Sequence, residues 1–121
     1  MQADPAEDAA LETFELQTSD EGSARVLRAF GEIDITSAPT LRSALLPALD
    51  SSERVVLDLS EVSFLGSSGL AVLVEGRDQA QQSERDFRLV CTSRIVIRAL
   101  EATGLRELFD ISPDLASALN H

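Results

Sequence analysis

Phe14, Leu16 and Thr18 alternate with Glu15 and Gln17, the two-residue period of a strand with one buried face. Asp20-Glu21-Gly22 supplies turn residues, and Ala24 to Phe30 resumes an extended apolar pattern through Val26 and Leu27. The segment from Thr13 onward therefore predicts a β-hairpin. The period then changes: Ala38, Leu41, Leu45, Ala48 and Leu49 recur at helical spacing behind Thr36 and Ser37, both N-cap residue types, and predict a helix over roughly 37–49. Pro47 lies inside that span. An interior proline loses a backbone donor and costs about 3 kcal/mol, so a bend or an early end is expected there.

Val55-Val56-Leu57-Asp58-Leu59 is short, β-branched and almost continuously apolar, as a central parallel strand covered on both faces should be. Val62-Ser63-Phe64-Leu65 reads as an apolar turn leading into Gly66-Ser67-Ser68-Gly69. Leu70, Leu73 and Val74 then mark one face of a helix that starts near Ser68 and ends near Ser83. Phe87, Leu89 and Val90 predict another strand. Ser93 is the expected cap of a third helix carrying Val96, Ile97 and Leu100 and ending at Gly104. Leu105, Leu108, Phe109 and Ile111 read as a compact connector, and Ser112-Pro113-Asp114 as the start of a last helix with Ser112 as its cap. The order ββαβαβα, connector, helix predicts an α/β domain: a mixed, mostly parallel sheet flanked by helices, opening on an N-terminal hairpin, with right-handed crossovers.

Length sets the domain count: 121 residues that are 44% hydrophobic suit one domain over 12–121, preceded by a flexible acidic tail over 1–11. The apolar runs are only about five residues long, far below the ~20 that span a bilayer, and the N-terminus is acidic where a signal peptide is basic. A cytoplasmic protein without membrane insertion is expected. A formal charge of −11 repels nucleic-acid backbones and anionic lipid, and Tyr and Trp, the usual base-stacking platforms, are absent. A basic protein partner fits better. Cys91 is the lone cysteine, and the lone histidine, His121, is a terminal residue expected to be solvated. Catalytic triads, HExxH zinc sites and Walker loops all lack their residues, so neither enzyme activity nor a cofactor or metal is expected.

The chemistry concentrates in Gly66-Ser67-Ser68-Gly69, where two hydroxyls stand at the start of a helix. Either serine can cap that helix. Either can also accept a phosphate, which would face free backbone N–H groups and the positive end of the helix dipole. Asp34 has two readings as well, a cap for the helix that starts near Ser37 or a contact for a partner. Gly69 allows close helix packing or close approach of a partner, and Leu70 and Leu73 suit core or interface.

Three segments carry a family resemblance. Gly31-Glu32-Ile33-Asp34-Ile35-Thr36-Ser37-Ala38, the run from Asp58-Leu59-Ser60 through Phe64-Leu65-Gly66-Ser67-Ser68-Gly69-Leu70, and Thr103-Gly104-Leu105 with Leu108-Phe109 resemble the signatures of STAS domains of the anti-sigma factor antagonist type. The likeness spans about residues 13 to 119. It implies a protein that binds an anti-sigma factor with serine-kinase activity and releases a sigma factor, is switched off by phosphorylation, and is reset by a PP2C-type phosphatase. Carried over by position, Ser67 is the phosphoacceptor, Ser68 the more suitable cap, and Asp34, Gly66, Ser67, Ser68, Gly69 and Leu70 form the partner-binding set. Gly66 departs from the pattern, because the family usually has aspartate there. The alternative on the same fold is a STAS adaptor subunit of a membrane transporter or sensory complex without phospho-switching.

Overall fold

The hairpin predicted by the alternation forms as β1 (Phe14–Glu21) and β2 (Ala24–Ile33), paired antiparallel from Glu21 opposite Ala24 to Phe14 opposite Gly31. Gly22 turns it with a φ of +65°, a conformation that side chains disfavour. The computed structural model describes residues 14–120, so Thr13, the acidic tail expected over 1–11 and His121 lie outside the described residues. After the hairpin come α1 (Ala38–Ser51), β3 (Arg54–Leu65), α2 (Ser67–Ser83), β4 (Asp86–Val90), α3 (Arg94–Ala102), a 3-10 turn (Arg106–Leu108), β5 (Asp110–Ser112) and α4 (Leu115–Leu119). The strands lie side by side in chain order, and β2, β3, β4 and β5 run parallel. This is the mixed, mostly parallel sheet flanked by helices that the pattern predicts.

Three expectations are corrected. The segment from Val62 to Leu65 is not a turn but the end of β3, a strand of 12 residues. Its pairing with β2 shifts register between Arg28 and Phe30 and again between Gly31 and Glu32, so the two-residue period is lost beyond Leu59. The connector hides β5, which pairs Leu89 with Ile111 and places Ser112 in a strand. The cap of α4 is accordingly Asp114, whose Oδ1 accepts from the Ser117 N–H at 2.7 Å. Finally, α1 runs through Pro47 to Ser51. Burial of Leu45, Ala48 and Leu49 outweighs the lost backbone bond, and the Ser51 hydroxyl donates to the Pro47 carbonyl at 3.1 Å.

The main core lies on the face where Leu27, Leu57, Leu59 and Leu89 meet Leu41, Leu45 and Leu49 of α1, Leu73 of α2, and Val96 and Leu100 of α3. The other face holds a smaller cluster of Val26, Val56 and Val90 under Ala118 of α4. Beside it, Asp86 pairs with Arg54 at 3.0 Å and Arg88 at 2.8 Å. Burial pushes the Asp86 carboxyl up, but the two guanidiniums outweigh it and hold the group below its usual value. With both faces committed to packing, the C-terminal edge of the parallel strands is where irregular backbone and free side chains collect.

Candidate functional site

Two strand-to-helix junctions sit together at that edge, β2 into α1 and β3 into α2. They are joined by the Gly66 N–H donating to the Ile33 carbonyl at 2.9 Å.

The first junction is saturated with hydrogen bonds. Asp34 Oδ1 accepts from the Thr36 N–H at 3.0 Å, the Thr36 hydroxyl at 2.7 Å and the Ser37 N–H at 3.1 Å. The Ser37 hydroxyl is buried; it donates to the Glu32 carbonyl at 2.7 Å and accepts from the Asp34 N–H at 2.9 Å. The Asp34 carbonyl accepts from the Ala38 N–H at 2.8 Å, which starts α1. Ser37 occupies the N-cap position without a side-chain cap bond, so the capping expected of it passes to this Asp34-centred turn. The Thr36 hydroxyl, followed by the Ser37 N–H, holds the Asp34 carboxyl below its ordinary value of 3.8. All of these side-chain bonds fall on Oδ1. Oδ2 has no hydrogen-bond partner among the described residues.

The second junction is built in the opposite way. The N-cap of α2 is Gly66, with no side chain to cap, and the helix starts at Ser67 rather than at Ser68. Neither serine caps, contrary to the expectation for Ser68. Ser67 is exposed and Ser68 half-buried, and neither hydroxyl has a hydrogen-bond partner among the described residues. Their first-turn N–H groups precede the intrahelical ladder. Position is held instead by packing. Gly69 is buried where a Cβ would come within 2.5 Å of Ile33 Cγ2 and 2.7 Å of Leu65 Cδ1, so α2 rests directly on the ends of β2 and β3. Leu70, one of the expected partner-binding residues, is in the core.

Of the sequence-derived set, Asp34, Gly66, Ser67, Ser68 and Gly69 are brought to one edge by these two junctions. Among the described residues Asp34 makes no hydrogen bond to Ser67; its side-chain bonds go to Thr36 and Ser37. Two neighbours were missed by sequence reasoning: Ile35, 77% exposed in the first junction, and Phe64, 48% exposed just before the second. The available signal for Ile35 was a lone large apolar residue inside the polar turn Asp34-Thr36-Ser37. Clefts among the described residues lie elsewhere, beside Phe109 and beside Arg94, and include no residue of 32–37 or 64–70. Among the described residues, no group of three or more His, Cys, Asp or Glu side chains could hold a metal ion, and no helix is long and apolar enough to cross a membrane.

Comparison with known proteins matches residues 15–118 to the STAS domain. An anti-sigma-F factor antagonist, RsfB, of Mycobacterium tuberculosis is 32% identical over 111 residues, covering 91% of this chain and 90% of that protein. An anti-sigma-B factor antagonist of Bacillus subtilis is 35% identical over 82 residues, 68% of this chain and 75% of its own length. Among solved structures, an anti-sigma factor antagonist from Mycobacterium paratuberculosis superposes with a TM-score of 0.81 at 34% identity, covering 88% of this chain and 91% of that one.

Proposed function

The chain belongs to the STAS domain family, and on that premise we propose that it is an anti-sigma factor antagonist regulated at Ser67. Unmodified, it binds an anti-sigma factor with serine-kinase activity in the cytoplasm and so releases a sigma factor. Phosphorylation of Ser67 ends that binding, and a PP2C-type phosphatase restores it. The observation that carries the phospho-switch is the state of Ser67: exposed, in the first turn of α2, its hydroxyl without a hydrogen-bond partner among the described residues.

The chain contributes a hydroxyl and a position, and the kinase contributes the chemistry. Ser67 Oγ attacks the γ-phosphorus of ATP on the kinase, the bond from that phosphorus to the β,γ-bridging oxygen breaks, ADP leaves, and the hydroxyl proton goes to a base of the kinase. Gly66 leaves no carboxylate at the N-cap to repel the new phosphate, which the dipole and free N–H groups of α2 stabilise. The product carries about 1.5 to 2 extra negative charges where the kinase still holds the phosphates of ADP. A like-charge and desolvation penalty of about 3 kcal/mol there weakens binding about 150-fold.

Incubation with a purified anti-sigma serine kinase and ATP, followed by phosphosite mass spectrometry, should label Ser67. Ser67→Asp should lose the kinase, and Ser67→Ala should bind it without being switched off. An unlabelled Ser67 with binding intact would sink the phospho-switch and leave the antagonist.

A further inference from the structure

Gly66 has φ −91° and ψ −178°, extended backbone that any residue adopts, so the conformation of the chain does not call for glycine. A side chain there would instead meet the neighbouring ring. A Cβ at 66 would stand 3.0 Å from Cε2 and 3.3 Å from Cζ of Phe64, so the ring lies over the bare backbone of the acceptor loop. In that position it is 48% exposed, at a strand end where it is paired in register with exposed Glu32. Ile35, more exposed still, stands on the other junction, which the Gly66 N–H to Ile33 carbonyl bond ties to this one. Large apolar side chains exposed beside a site, among carboxylates, are the composition of an interface anchor with a charged rim.

We propose that the Phe64 ring, seated on Gly66, is the apolar anchor by which this surface docks an anti-sigma factor, whose matching face carries an apolar socket rimmed by basic side chains. This rests on the functional reading above, which supplies the occupant. Charge complementarity fixes the rim: Glu32 is paired in register with the anchor, and Asp34, whose Oδ2 has no hydrogen-bond partner among the described residues, stands on the adjoining junction, in a chain of net charge −11. The rim steers encounter, whereas burial of the ring slows release. Gly66 is then a specificity residue, since a Cβ there would push the anchor ring off its seat by a few tenths of an ångström.

The test is surface-plasmon kinetics of the full chain against purified anti-sigma serine kinases of the organism that encodes it. Phe64→Ala should raise koff at least about 30-fold, with kon and its salt dependence unchanged, while Phe64→Leu stays within about fivefold. Gly66→Ala should weaken binding in the parent and have no further effect in the Phe64→Ala background, the non-additivity of a coupled pair. Unfolding midpoints of the variants give the check on the fold. If Phe64→Ala binds as the parent does while Ser67→Asp loses the kinase, the anchor is overturned and the functional reading stands. If no kinase binds the parent chain, both are overturned.

Discussion

The two junctions at the sheet edge do the same structural task by opposite means. Where β2 enters α1, Asp34, Thr36 and Ser37 tie their hydroxyls and carboxylate into the turn. Where β3 enters α2, the N-cap is a glycine, the two serines bond to nothing within the described chain, and close contact of Gly69 with Ile33 and Leu65 sets the geometry. A turn held by polar side chains has already spent its hydroxyls. A turn held by packing leaves its hydroxyls without a partner among the described residues, which is what the proposed acceptor role of Ser67 requires.

That contrast is open to attack at several points. The largest effect should come from Gly69→Ala, which drives a methyl into the buried, β-branched Ile33 and costs about 1–3 kcal/mol in urea unfolding. Gly66→Ala, meeting only the tip of a half-exposed ring, should cost under about 1 kcal/mol. Equal losses at 66 and 69 would mean that packing does not single out Gly69. Next, Ser37→Ala removes a buried hydroxyl bonded to the Glu32 carbonyl and the Asp34 N–H, and should cost about 1–2 kcal/mol. Ser67→Ala should stay within about 0.5 kcal/mol of the parent. A Ser67 cost matching that of Ser37 would reveal a structural bond at the second junction and undo the comparison.

The smallest effect is one of pH. The Asp34 carboxyl is held below its ordinary 3.8, so its folded value lies under the unfolded one. Its stabilisation is present in full above 3.8 and fades as pH falls through the folded value. The parent should therefore exceed Asp34→Asn in stability at about pH 6, with the gap narrowing as pH falls below 3.8, as read from denaturant midpoints. A gap that does not change with pH would remove the carboxylate from the turn.

Elements whose side chains obey a single period were legible in the chain itself. β1, β2 and β4 show alternation or an apolar run, and the helical faces of α1 and α2 follow from Leu41 to Leu49 and from Leu70 and Leu73. The end of β3 was hidden because bulges against β2 break the period between Leu59 and Leu65, and β5 because three residues are too few to show one. Pro47 misled for a related reason, since local cost is overruled by the burial of Leu45, Ala48 and Leu49.

The site divides along the same line. Which residues carry hydroxyls and carboxylates, and that Ser67 and Ser68 open a helix after a glycine, is written in the sequence, because residue type and helical period are local properties. Which hydroxyls are already spent was decided only in three dimensions. Ser37 and Ser68 look alike as helix-start serines, yet one is buried under the Glu32 carbonyl and the other has no hydrogen-bond partner in the described chain. The exposure of Phe64 and Ile35 is likewise set by neighbours brought in from other strands. A hydrogen bond or a buried face needs a partner at a definite distance, and that distance exists only once the two junctions have been folded side by side.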